Sequence, residues 1–376
     1  MFHLPLKIKT AVFGSFVFNI FLLASGALLL SGCAGEDIKR EKPVFAYPEP
    51  PEKVRFYFER SIHSSFDIKQ LSAADKLRAF ATGSYGSSEG LGKPYGVAAY
   101  QGRVYVTDTL KRAVLMFDVP GGKYKAFGKE GPGALRKPIG IAASSSGEIY
   151  VVDNTASRVV VFDKDGEFLR AFGNRNILKR PSGIAVSPDN TRAYVIDTGG
   201  IDTQDHHLYI FNAQTGDLER TIGTRGKEEG EFNLALQVTT AKDGTVYVTD
   251  SGNFRVQAFS ADGNFKMAFG QVGRKTGNFA RPKGIATDAE GNIYVVDSAF
   301  GNFQIFNDKA QLLLYVGERG SRDMPGRYML PAGIDVDEDG RVYIVDQFHR
   351  KVDIFRPASV ATDKGYLGGE HLVKKK

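Results

Sequence analysis

The chain has 376 residues, 42% hydrophobic and 24% charged, with a formal net charge of +6, which is ample for a large core and lies inside the ordinary globular range. Forty-three glycines and no tryptophan point to many tight turns in place of long helices. Cys33 is the only cysteine, so internal disulfides, CxxC redox chemistry, cysteine-ligated zinc and haem attachment through CxxCH are excluded.

The first 32 residues read as a leader. Lys7 and Lys9 precede an uncharged apolar run from Ala11 to Leu30, and the small residues Ser31 and Gly32 follow. The sequence Leu30-Ser31-Gly32-Cys33 resembles the lipobox of bacterial lipoproteins, in which the peptide bond before the cysteine is cut and its thiol acylated. That resemblance implies a signal peptide over 1–32, a palmitate-type anchor on Cys33 and attachment to the cell envelope. Because Ala34, not an aspartate, follows the cysteine, it further implies the outer membrane where the cell has two. The alternative is an uncleaved anchor, since 20 apolar residues can span a bilayer. Residues 33–53, charged and carrying four prolines, read as an extended tether. Residues 54–62, VRFYFERSI, are strand-like, and 71–80, LSAADKLRAF, fit a short helix with Ser72 as N-cap and Asp75 three residues on.

One alternating stretch then recurs six times: GRVYVTDT (102–109), GEIYVVDN (147–154), TRAYVIDT (191–198), GTVYVTDS (244–251), GNIYVVDS (291–298) and GRVYIVDQ (340–347). The aspartates that end them, Asp108, Asp153, Asp197, Asp250, Asp297 and Asp346, are spaced by 45, 44, 53, 47 and 49 residues. A period in the forties with four short strands per unit predicts an all-β, six-bladed propeller over 54–357. The sixth unit lacks a fourth strand, and an open blade would expose an unpaired edge. The N-terminal strand 54–62 is therefore expected to close the ring. Residues 358–376, unpatterned and ending on three lysines, read as a disordered basic tail.

The pattern in RPKGIATDAEGNIYVVDS and DSGNFRVQAFSADGNF resembles NHL repeats, which build six-bladed propellers, and extends over about 94–356. Together with the lipobox, the chain is similar to exported bacterial NHL-repeat lipoproteins, a resemblance that implies an envelope scaffold, accessory to a cytochrome system in some members. Fold alone is silent on chemistry.

A carboxylate repeated at one phase in every unit is structural, accepting N–H bonds in the loop after the second strand. Arg112, Arg158 and Arg255 follow three of the aspartates by four or five residues, with Lys351 in that place in the sixth unit, and a charge-assisted Asp–Arg pair is expected to pin the loop. Departures from the repeat are more informative. The loop after Asp197 is expanded and gathers Asp202, Asp205, His206 and His207; the arginine is missing after Asp297; His349 stands in the sixth loop. Six-bladed relatives include zinc-dependent amidating lyases and calcium-dependent lactonases. An alternative metal-dependent hydrolase or lyase would use His207, His349 and Asp202 or Asp205. Adjacent strand residues point to opposite faces, which argues against His206 and His207 sharing an ion and favours exposed loop histidines. Ser88 fits G-x-S-x-G only formally, since no strand precedes it and no helix follows. No catalytic residue, cofactor or metal is therefore expected.

The five blade-to-blade connections carry 15 Lys and Arg against 6 Asp and Glu, a balance of +9 that exceeds the whole chain's +6. Positive charge is expected to concentrate on one rim, and an anionic partner to be drawn there. Candidate contacts are Arg180, Arg225, Arg274, Lys275, Arg281, Lys283 and Arg319, with His207 and His349. Export makes nucleic acid a poor candidate, so an envelope protein or anionic glycan is expected. Phe279 and Tyr328 are expected to plug gaps between blades.

Overall fold

The computed structural model describes residues 44–69, 77, 81, 88–200 and 202–368. The chain divides into two compact units, Met1–Pro43 and Val44–Lys376, and the description concerns the second. The signal peptide with its lipobox, Cys33, and (Leu77 apart) the helix expected over 71–80 lie outside the described residues.

Each repeat folds into a four-stranded antiparallel sheet. Blades 1 to 5 run from Pro94 to Phe127, Pro138 to Phe172, Pro181 to Ile222, Ala235 to Phe269 and Pro282 to Val316. The inner strands meet in the cyclic order 1-2-3-4-5-6-1, so the six sheets form a ring. The second strands are buried along their length, as in Ile149–Asp153, apart from the half-buried Arg103 and Arg192 that open two of them, because a neighbouring blade covers either face. Outer strands such as Leu312–Val316 alternate between half-buried and exposed positions, with only Val316 buried.

The core is distributed over six clusters, one per seam. Val104, Leu115, Val345 and Ile354 fill the seam of blades 6 and 1, while Val248, Phe259, Tyr194 and Ile210 fill that of blades 3 and 4. Burying each such side chain contributes about 1.5–3 kcal/mol. Phe232, Phe279 and Tyr328, all fully buried, enter the seams from the connections. The Phe279 ring packs at a tilt against Phe306, 5.7 Å between centroids, as expected of a plug.

Blade 6 comprises Pro331–Val336, Val342–Asp346 and Lys351–Pro357, and its outer strand is Phe56–Ile62. Phe58 lies opposite Phe355 and Ile62 opposite Val352, so the N-terminal strand closes the ring as the missing fourth strand requires. Two expectations need correcting. Within the 33–53 tether, Ala46–Tyr47 adds a fifth strand, with Tyr47 paired to Phe56 and its ring packed on Phe355. Nor is the tail free from its first residue: Leu367 is buried, and the Lys364 carbonyl accepts from Arg341 at 3.0 Å. That guanidinium, wholly buried, is shared with Glu59 of the closing strand (2.7 Å) and Asp339 (3.3 Å). Buried donors that need acceptors, together with Leu367 in the apolar seam of blades 6 and 1, hold this part of the tail.

Candidate binding face

Antiparallel topology puts the connections between blades and the loops after the second strands on one face. The repeated aspartates tie them together. Asp108 accepts from Gly92 and Lys93 of the preceding connection (2.6 and 3.0 Å) and from Leu110 and Lys111 of its own loop (3.0 and 2.9 Å). Asp346 does the same with Met329, Leu330, Phe348 and His349 at 2.7–3.1 Å. Asp153, Asp197 and Asp297 repeat the geometry, and all six carboxylates are fully buried. A carboxylate sunk among N–H donors is a staple, not an exposed acid.

The expected Asp–Arg pair forms once. Arg255 Nε lies 2.9 Å from Asp250 Oδ2. Arg158 instead donates to the Ala134 carbonyl at 2.9 Å, because Asp153 already accepts backbone N–H groups. Arg112 is exposed and left-handed (φ 53°), and the residue opposite Asp108 is Ala113. Lys351, fully buried, turns to Asp353 (3.0 Å), Asp323 (3.1 Å) and the Met324 carbonyl (2.7 Å) in place of Asp346.

Blade 4 breaks the staple. Asp250 accepts only Asn233 from the connection and fills its remaining sites with the side chains of Asn253, Arg255 and Gln257. The next amide, Leu234, donates 3.2 Å to His206 Nδ1, while His206 Nε2 donates to the Gly200 carbonyl. His206 is thus buried, not an exposed loop histidine, and desolvation pushes its imidazole below the usual histidine range. Desolvation likewise raises the carboxyls of Asp197 and Asp250.

The residues proposed for a metal are not brought together. His207 donates to the Gly223 carbonyl (2.8 Å) in blade 3, and His349 to the Gly320 carbonyl (3.0 Å) in blade 6, on opposite sides of the ring. Asp202 is exposed, and Asp205 lies 3.9 Å from His207. Among the described residues no three His, Cys, Asp or Glu side chains gather in metal-binding geometry.

Arg180, Arg225, Arg274, Lys275, Arg281 and Arg319 are exposed on the connection face. Lys283 is half-buried on the inner strand of blade 5, where desolvation and Arg281 lower its ammonium. Two features escaped the charge pattern. Leu110, Phe348, Leu330 and Met324 are exposed on the same face, in blades 6 and 1 and the connection between blades 5 and 6. Inside the ring, the inner strands enclose a cavity of about 190 Å³ whose polar lining includes Gln237, Thr239, Thr240, Thr287 and Asp335. Asp335 accepts from the Ala99 N–H of blade 1 at 2.7 Å, and burial raises its carboxyl to about 7.

The NHL repeat family model matches residues 135–162 and 232–259. Tripartite motif-containing protein 3 of Mus musculus is 31% identical over 101 residues, which is 23% of this chain and 14% of that protein, so the chain spans only a small part of this curated relative. A structural-genomics protein from Bacteroides thetaiotaomicron is 17% identical, with a TM-score of 0.57 over 72% of this chain and 71% of that one. A catalytically inactive virginiamycin B lyase from Staphylococcus aureus, solved with quinupristin, is 15% identical with a TM-score of 0.52, over 70% of this chain and 94% of the lyase. At such identities these structures speak to fold alone. The ring of six antiparallel blades makes this chain a six-bladed β-propeller, two of whose segments, 135–162 and 232–259, match the NHL repeat.

Proposed function

We propose that the propeller is a non-enzymatic scaffold, lipid-anchored in the cell envelope, whose connection face binds an acidic protein partner. The observation that carries this reading is a set of exposed cations on one face whose side chains have no partner among the described residues, Arg274, Lys275, Arg180 and Arg281 among them. Unneutralised charge of one sign on one face steers and orients a complementary surface. Exposed Leu110 and Phe348 on that face supply the apolar contact that a charged rim lacks.

The test is crosslinking capture with the tethered full chain against a variant carrying Arg274→Glu and Lys275→Glu. Loss of acidic proteins from the captured set supports the reading; recovery of the same set overturns it, and recovery of polysaccharide alone replaces the protein partner with an anionic glycan. Cys33→Ser is expected to release the chain from membranes, and continued membrane association would remove the lipid anchor from the proposal.

A further inference from the structure

The residue immediately before the inner strand stands at an equivalent place in every blade, at the channel end of the connection. In ring order these six are Lys93, Lys137, Arg180, Leu234, Arg281 and Leu330. Each backbone N–H is fastened beneath the face, five of them by a repeated aspartate and Leu234 by His206. The positions are thus fixed by the fold while their side chains remain free to vary. Four of the six are cations. Lys93, Lys137 and Arg180 occupy three successive blades, Arg281 lies across from them, and all four are exposed with no hydrogen bond or ion pair to their side chains among the described residues. Lys283, two residues inside Arg281, adds a fifth cation without a side-chain partner.

Like charges gathered on a fixed ring repel one another, and a surface serving only solubility mixes the signs. The carboxylates beneath, from Asp108, Asp153, Asp197, Asp297 and Asp346, weaken the repulsion, but their oxygens are occupied by backbone donors and none bonds a ring side chain. A ligand bearing several negative charges on neighbouring oxygens would bridge such cations and relieve their repulsion.

We propose that the channel entrance on the connection face is a site for one compact multivalent oxyanion, of the phosphate or polycarboxylate class, held by Lys93, Lys137, Arg180 and Arg281. The inference rests on the reading of this face as the one that binds. Lys283 would meet the anion from the inner lip of the channel. Leu234 and Leu330, on either side of Arg281, make that sector of the rim apolar and leave the arginine as its single charge.

The experiment is titration calorimetry of the purified full chain at fixed ionic strength, with inorganic pyrophosphate and citrate as probes and acetate as the monovalent reference. One variant carries Lys93→Ser, Lys137→Ser and Arg180→Ser; a control carries Lys242→Ser and Lys309→Ser in turns on the opposite face and Lys123→Ser at the strand end beside one, with the same change in net charge. The cations are also replaced singly, and thermal unfolding verifies each fold. The expected result is one saturable equivalent of pyrophosphate or citrate, weakened roughly tenfold or more by the entrance substitutions and unchanged by the control. Whichever probe binds more tightly identifies the class. The proposal is overturned if neither anion saturates, or if both variants weaken binding equally, as net charge alone would require. Should titration fail while capture still depends on Arg274 and Lys275, the anion site falls and the scaffold reading stands. Success in titration with unchanged capture leaves the site and removes the acidic protein partner.

Discussion

Removing one staple should cost the propeller a calculable part of its stability. Asp108→Ala leaves four backbone N–H groups, of Gly92, Lys93, Leu110 and Lys111, without their acceptor at 2.6–3.0 Å. An unsatisfied buried donor costs about 1–3 kcal/mol, and water can reach these loops, so the lower end applies and the total is roughly 3–4 kcal/mol. For a domain of this size that corresponds to a fall of roughly 4–6 °C in Tm. Asp108→Asn keeps the Oδ1 acceptor for three donors and turns an amide N–H₂ toward Gly92, so the loss should be about half as large. Thermal unfolding of the full chain by circular dichroism gives the order, and hydrogen exchange should show faster exchange at these four amides. An alanine variant that melts within about 1 °C of the parent would mean that water replaces the carboxylate, and the staple would not be what holds the face.

Two further outcomes follow from closure and from the channel. Deleting residues 54–62 removes a seven-residue outer strand and the Glu59 partner of buried Arg341, so the deletion should lower Tm by well over 10 °C or abolish cooperative unfolding; unchanged melting would mean that the ring does not need this strand. Asp335 is raised by burial to about 7, so the folded chain binds a proton that the unfolded chain has released between about pH 4 and 7; this term favours folding at low pH and is lost as pH rises through 7. Asp335→Asn should therefore raise Tm at pH 8 by clearly more than at pH 5, where only part of the penalty has accumulated, measured by paired melts, and an equal effect at both values would contradict the raised carboxyl.

The fold was legible because its signals are local and repeated. Period-2 alternation ending on aspartate marks each second strand, and a sixth unit without a fourth strand leaves VRFYFERSI as the piece that fits. The chemistry of the aspartate was legible only in kind. Its connection donors lie 15 to 18 residues upstream, as Arg136 and Lys137 do for Asp153, and no local pattern shows that the carboxylate is filled from there. Arginines at a suggestive spacing therefore looked like partners, and only Arg255 is one. His206 shows the same limit: its role is to receive an amide from a different connection, Leu234, which the fold alone brings to it. Counting charges along the connections picked out Arg180 and Arg281 but not their equivalence with Lys93, Lys137, Leu234 and Leu330, which needs the strand boundaries.

The inner-strand glycines carry a consequence for how such a ring can change over time. At Gly96, Gly140, Gly183, Gly284 and Gly333 a methyl group would lie no more than 2.8 Å from the backbone of the next blade, so inner strands meet main chain to main chain. Blade 4 alone places a side chain there, Gln237. The bore is thus set by covalent geometry and resists adjustment by substitution, whereas the six entrance residues a few positions away are held only through their amides. A molecule built this way separates an invariant frame from an interchangeable collar, and new specificity can be acquired at the collar without renegotiating the frame.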